Sequence, residues 1–384
     1  MPESLTAEQI ALRDRATGFA REVLEPAARS LRGPREGADE RATARDPGPV
    51  RDRIRRAAIE MGFFRMTQPR AFGGSEAGPL ELALVRETFA SYNTGLHPLA
   101  FGPGPGVLAH VGEPLRSTHL APLLDGTRRA GFAFTEPDDA SHFTTATPDG
   151  DAFVVRGRKS YVTGGAHADF LNTLVEIPGQ GRAMLVIDVA TPGVAIEERF
   201  ASLDGSHHAA FRFDAARVPK NHLIGAPGEG LPVAMRQIGD TRLMIAADAV
   251  GLSRWVIAFV TAHLKAPHAS GAPLGAREGV RLRYADLRIK TFAARSMLYR
   301  TARLAAAGEN IVNEGIACKV FATETLSDVV DGGIQLVGGK ALTVGHPLEA
   351  LYREARSLRL AEGASDVIRI NLARGALDLD KGVL

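Results

Sequence analysis

The sequence predicts an α+β multidomain fold: an N-terminal α-helical domain, a middle antiparallel β-sandwich or barrel, and a C-terminal bundle of the four-helix type. Three observations carry this. Apolar residues recur every three to four positions toward both ends of the 384-residue chain. From about residue 130 to about 218 that period gives way to short β-rich runs separated by turn residues, with no helical pattern between them. The length is too great for one ordinary core, so two or three domains are expected. The boundaries fall at 1–126, 127–228 and 229–384.

Thr6-Ala7-Glu8-Gln9 reads as a capping box, in which two side chains satisfy helix-end donors reciprocally. Leu12, Ala16, Phe19 and Val23 continue one apolar face. Residues 30–49, rich in Arg, Gly and Pro, read as a loop. Helical pattern returns over 50–61 and stops at Gly62; after a turn at 69–75 another helix covers 80–92. Gly102-Pro103-Gly104-Pro105-Gly106 does not read as a phosphate loop. No strand precedes it, and each Pro removes an N–H that phosphate would need.

Strands are expected over 131–135, 152–155, 160–163, 170–177, 183–189, 194–200 and 209–213. Turns such as Pro148-Asp149-Gly150-Asp151 and Thr191-Pro192-Gly193 separate them, and strands spaced this closely argue antiparallel pairing. Beyond Gly230 the helical period returns and holds. Val280, Tyr284, Leu287, Ala294 and Leu298 keep it, as do Ile316, Val320, Val330, Ile334 and Val337. Long helices with few prolines suggest a bundle that buries one face and offers another for subunit contacts.

The 46 Lys+Arg and 44 Asp+Glu leave a formal charge of +2, too balanced for a nucleic-acid partner. The single cysteine, Cys318, excludes an internal disulfide, packs as a small hydrophobe and fits a reducing compartment. The first residues lack the pattern of a signal peptide, and uninterrupted apolar runs such as 255–262 are too short to span a bilayer. No membrane insertion and a cytoplasmic location are therefore expected. No metal-ligand spacing stands out. His207 and His208 are adjacent on an expected strand and point apart, so the reading there is structural and no metal is expected.

Near the C-terminus, Leu358-Arg359-Leu360-Ala361-Glu362-Gly363 presents one carboxylate just before a glycine. Glycine permits a sharp bend, so Glu362 can sit between two elements, where lost hydration raises its pKa toward the range of a base. An ordinary surface Glu before a helix is the competing reading, and alone the segment does not exclude it.

Four stretches, in order and in this textural setting, resemble the acyl-CoA dehydrogenase family, and the resemblance runs over essentially the whole chain. Phe132-Ala133-Phe134-Thr135-Glu136-Pro137 resembles the family's Thr-Glu-Pro signature. Gly157-Arg158-Lys159-Ser160-Tyr161-Val162-Thr163 resembles its Gly-x-Lys-x-Trp-Ile-Thr strand pair, and Gln335-Leu336-Val337-Gly338-Gly339 its Gln-x-x-Gly-Gly segment. The Glu362 segment resembles the stretch ending in Glu-Gly-Thr.

The resemblance implies FAD-dependent α,β-dehydrogenation of an acyl thioester, carried by CoA or by a carrier protein. It implies Glu362 as the base that takes the α-proton, with the β-hydride passing to flavin N5, and the Glu362 backbone N–H helping to bind the thioester oxygen. Such chemistry needs a base, enolate stabilisation and a hydride acceptor. By their matches, Phe134, Thr135, Ser141, Tyr161, Thr163, Gln335, Gly338 and Gly339 would bind the cofactor; Tyr161 replaces the family's usual Trp. Ser141, Arg242 and Glu362 would meet the substrate. Thr241 stands where a branched-chain subgroup keeps an alternative Glu base, which leaves Glu362 as the candidate. A flavin oxidase or monooxygenase on the same fold, or a subunit whose partner carries the flavin, are the alternatives.

The chain also departs from the pattern. The family's Arg-x-x-Phe-Gly falls on Pro267-His268-Ala269-Ser270-Gly271, replacing the Arg with Pro267 and the Phe with Ser270. In relatives that Arg reaches the FAD pyrophosphate of a neighbouring subunit, where its guanidinium forks onto phosphate oxygens. Ala361 and Ala364 replace larger residues beside the base, and His142 stands where Asp is common. The expectation is a homo-oligomer, dimer or tetramer, or a heteromer whose sister subunit donates the missing Arg.

Overall fold

The structure, a computed structural model, describes residues 5–31, 48–269 and 271–379. In chain order its helices are α1 (Ala7–Phe19), α2 (Glu25–Leu31), α3 (Gly48–Glu60), α4 (Pro79–Ala90), α5 (Ala121–Asp125), α6 (Gly230–Lys265), α7 (Glu278–Ala306), α8 (Val312–Val337), α9 (Pro347–Leu358) and α10 (Ser365–Leu379). The strands are β1 (Ala130–Ala133), β2 (Thr145–Asp149), β3 (Ala152–Thr163), β4 (Phe170–Ile177), β5 (Gly181–Asp188), β6 (Val194–Ala201), β7 (His207–Pro219) and β8 (Leu223–Ile224). Helices at both ends and a sheet in the middle are the expected architecture. Most of the loop expected at 30–49 lies outside the described residues.

Packing divides the chain into two units. The first, a helical unit, takes Met1–Met66, Ser75–Phe101 and Gly239–Leu384; the second takes Thr67–Gly74 and Gly102–Ile238.

In the helical unit α1 opens on the expected capping box. Thr6 Oγ1 accepts from the Gln9 N–H at 3.3 Å, and Gln9 Oε1 accepts from the Thr6 N–H at 3.1 Å. Past Phe19 the helix continues through a π turn, Ala20–Leu24, into α2. Phe19, Phe63 and Phe89 form one aromatic cluster, with ring centroids 5.2, 5.3 and 5.1 Å apart. Leu84, Val250, Val256, Leu298, Leu326, Val330 and Leu351 build the larger core from α4 and α6–α9. Within it Glu87 is buried on α4. It accepts from the Tyr299 hydroxyl and from Arg254 and Arg295, so its charge is matched.

Uninterrupted apolar runs alone were an incomplete guide to spanning length. At 36 residues α6 is long and apolar enough to cross a membrane by length and composition. Uninterrupted runs missed it because isolated polar residues punctuate its apolar positions. Yet 56% of its most apolar window is buried inside the protein. Ala246, Ala247, Val250, Leu252, Val256 and Val260 lie in the bundle core, which accounts for the composition.

The second unit carries one sheet, ordered β6-β7-β3-β2-β4-β5-β8, with β1 beside β4. Its pairing is mixed, which corrects the all-antiparallel expectation. β1 runs parallel to β4 from Ala130↔Phe170 to Ala133↔Thr173, and β2 meets β4 parallel at Thr145↔Glu176. The spacing argument constrains only strands that follow each other through a tight turn. β1 reaches β4 only after the chain has made β2 and β3. The strands expected at 152–155 and 160–163 are one, β3, with register shifts between Val155 and Gly157 and between Lys159 and Val162.

β4 is buried almost end to end, Asn172 and Thr173 included, because both its faces are covered. Leu171 and Val175 join Leu185, Ile187, Phe211 and Phe213 on one side. Phe170 and Leu174 meet Leu108, Leu120, Leu124 and Ala234 on the other.

Candidate active site

Glu362 lies in the turn between α9 and α10, inside the helical unit. Its φ is +52°, a left-handed conformation that costs a non-glycine residue of order 1 kcal/mol or more. Gly363 follows with φ +103°, and a Cβ there would sit 2.7 Å from Ile368 Cγ2 and 3.2 Å from Arg242 Nη2. The bend inferred from the glycine is therefore real, and only glycine fits it. Gly363→Ala is expected to destabilise the protein by about 1–3 kcal/mol, read from the urea midpoint of the helical unit. An unchanged midpoint would contradict this account.

Two buried cations hold the turn. From α6, Arg242 donates Nε–H to the Glu362 carbonyl at 3.0 Å. From α8, Lys319 donates Nζ–H to the carbonyls of Arg359, at 3.1 Å, and Gly363, at 3.0 Å. Ser365 adds its N–H and hydroxyl to the same Arg359 carbonyl. Among the described residues the Glu362 N–H makes no backbone hydrogen bond. Burial raises the pKa of the Glu362 carboxyl, and Arg242 and then Lys319 pull the other way without cancelling it. Burial, then Arg242, pushes the Lys319 ammonium down to about 8.

The structure thus brings Arg242 and Glu362 together. Gln335, Gly338 and Gly339 are exposed at the C-terminal end of α8 and take no part in the hydrogen bonds around Glu362. Gly338 caps that helix at φ +85°, ψ −168°, a conformation open essentially to glycine alone. Sequence reasoning missed Lys319. Its signal was an ammonium inside the apolar face of α8, between Ile316 and Val320. Pro267 is exposed, and Ser270 lies outside the described residues.

The remaining residues belong to the second unit. Tyr161 sits at the β3 register shift with φ +55°, its side chain exposed and edge-on to Phe200 at 5.4 Å. A bulge re-aims a side chain, and here it presents a flat aromatic surface outward. Two residues on, Thr163 is exposed, with Oγ1 3.2 Å from His208 Nδ1. Thr135 is exposed too, and its carbonyl accepts from the Ser160 N–H at 2.8 Å. Buried Lys159 ties that segment down through the Phe134 carbonyl and Glu136, while the Phe134 ring stacks on Phe132 at 5.8 Å. Ser141 lines a cavity of about 310 Å³ with Asp139, Arg156, Arg158 and Arg212.

Elsewhere in this unit a nitrogen of His119, a nitrogen of His222 and an Asp188 oxygen lie within 4.8 Å of one another. The Arg128 guanidinium already bonds the Asp188 oxygen that faces His119. His119, then Arg128, holds that carboxyl well below the usual range, so the group is an ion network with its own cation.

The chain matches the N-terminal, middle and C-terminal domains of acyl-CoA dehydrogenase over residues 6–127, 131–216 and 228–377. It is 28% identical to acryloyl-CoA reductase (NADH) of Anaerotignum propionicum, covering 97% of this chain and 95% of that one. It is 26% identical to the mitochondrial short-chain specific acyl-CoA dehydrogenase of Homo sapiens, covering 82% and 79%. Among solved structures, a putative acyl-CoA dehydrogenase from Mycobacterium abscessus superposes with a TM-score of 0.85 at 26% identity, covering 98% of this chain and 100% of that one.

Proposed function

Since this chain belongs to the acyl-CoA dehydrogenase family and is an oxidoreductase, we propose that it removes the α-proton and β-hydride of an acyl thioester, with Glu362 as the base. The observation that carries this is the Glu362 turn. A half-buried carboxylate of raised pKa is held in a costly backbone conformation by two buried cations that bond its flanking carbonyls, not its oxygens. A group kept partly dry and unclamped suits proton abstraction beside a thioester. The Glu362 N–H is available to the thioester oxygen, where developing negative charge needs a donor.

The residues present fit FAD around its ring. Tyr161 offers an exposed aromatic face, and Thr135 and Thr163 are exposed polar neighbours for the ring's edge. FAD, when bound, supplies the hydride acceptor. Ser141 and its arginine-rich surroundings suit phosphate or pantetheine contacts, and Arg242 completes the substrate side. Ala361 and Ala364 leave room beside the base for a branched or ring-bearing acyl group, on CoA or on a carrier protein.

A second feature favours a heteromer. Pro267 offers neither charge nor donor where relatives place the arginine for the FAD pyrophosphate, so a sister subunit would supply it. Leu282, Ile289 and Phe292 form an exposed apolar stripe on α7, suited to subunit contact in either kind of oligomer. A cytoplasmic location belongs to the same proposal.

One absorbance experiment tests both readings. The protein is purified alone and its visible spectrum recorded anaerobically with straight, branched and aromatic acyl-CoAs. Bleaching of the flavin band by at least one thioester supports the dehydrogenase reading; no bleaching by any, in flavin-loaded protein, counts against it. Substoichiometric flavin supports a sister subunit, whereas a yellow homo-oligomer with full, non-dissociating FAD rules it out.

A further inference from the structure

Lys319 is fully buried, and both of its acceptors are backbone carbonyls that bracket Glu362. A neutral donor could tie the same carbonyls. A buried ammonium is a far more costly choice unless its charge is used. Buried Lys159 provides the contrast within this chain: it also bonds a carbonyl, that of Phe134, but ion-pairs with Glu136. Among the described residues no carboxylate is in ion-pair contact with Lys319.

The charged groups that face Lys319 are Arg242 from α6, Glu362 and Arg359 from the turn, and Glu324 from its own helix. Glu324 is already taken, by Arg359 and by Arg369 from α10. Glu362 is thus the carboxylate whose charge Lys319 is left to stabilise.

We propose that Lys319 is a positioning residue for the base, fixing the turn that carries Glu362 from both sides while lending it a positive field. The inference rests on reading Glu362 as the base. The field lowers the carboxyl's pKa, opposing burial, so that the ionised, competent form persists at lower pH than it would in a merely dry site. Because the ammonium bonds carbonyls and not the carboxylate, it does this without occupying the oxygens that take the proton. Lys319 would therefore set the working pH of the reaction without touching substrate.

Lys319→Met and Lys319→Arg, in the flavin-loaded protein, test this against wild type and Glu362→Gln. Two readouts are used: the pH dependence of flavin bleaching by butyryl-CoA, and hydrogen exchange of the peptide covering residues 355–368. For Lys319→Met the acid limb of the bleaching rate should move up by about one pH unit, as expected on losing one nearby opposite charge. Exchange in the peptide should rise about tenfold or more. Lys319→Arg, which keeps the charge, should hold the limb near its wild-type position.

A Lys319→Met limb and exchange rate both matching wild type would overturn the inference. If Lys319→Met does not fold, the wild-type protein still decides. Its Leu360, Ala361 and Ser365 amides, which donate to the Ser357 and Arg359 carbonyls, should be protected well beyond the unstructured rate, and exchange of these at the unstructured rate would sink the proposal. Failure of the base reading looks different: Glu362→Gln would then bleach at the wild-type rate, whatever Lys319 does.

Discussion

Glu362→Gln is expected to lower the rate of flavin reduction by an acyl thioester about a hundred- to ten-thousand-fold, the usual contribution of a positioned general base. The amide keeps the side chain's size and much of its packing, so folding and flavin content should be preserved. It cannot accept the α-proton. The loss should therefore appear in the rate of the reductive step and hardly at all in thioester binding. In the wild-type protein the same residue fixes the sign of the pH dependence. The competent form is the carboxylate, and burial raises its pKa. The rate should accordingly rise with pH through an inflection above that of an ordinary Glu, and Glu362→Gln should abolish that inflection. Stopped-flow absorbance of anaerobic half-reactions at several pH values measures both. A variant within tenfold of wild type would assign the proton to another group.

The second large effect is on stability. Glu87 has a side chain only 1% exposed and accepts from Tyr299, Arg254 and Arg295 at once. Burial, followed by the Glu87 charge, raises the pKa of the Tyr299 hydroxyl, which stays a proton donor to the carboxylate. Glu87→Leu leaves a buried hydroxyl and a largely buried guanidinium without an acceptor. Breaking a buried pair in this way costs about 3–5 kcal/mol, a large share of the stability of an ordinary domain. Urea unfolding followed by circular dichroism should show the midpoint falling accordingly. Adding Arg295→Met should recover part of the loss, because it removes the stranded charge. If the double variant is no better than Glu87→Leu alone, the stranded charge is not what the mutation costs.

These two residues also show how unevenly the sequence could be read. Glu362 was legible because a glycine follows it and the segment resembles a known motif; φ +52° at Glu362 and φ +103° at Gly363 give that local signal its geometry. Glu87 was not legible. It sits on α4, and its partners lie 167, 208 and 212 residues away on α6 and α7. Lys319 was hidden for the same reason, since its acceptors lie 40 and 44 residues on. The α6 helix was misjudged because uninterrupted runs undercount an apolar helix punctuated by polar residues.

By itself the sequence determined what depends on near neighbours. The helical ends, the run of strands between them and the Thr6 capping box rest on periodicity and short-range hydrogen bonding. Only the tertiary structure decided that β1 lies parallel to β4, that β3 is one bulged strand, and that Arg242 and Lys319 converge on the turn before α10. Periodicity tells a segment which face to bury. Which distant segment covers it, and which buried charge then answers which carbonyl, is settled only by minimising unpaired polar groups across the whole packed chain.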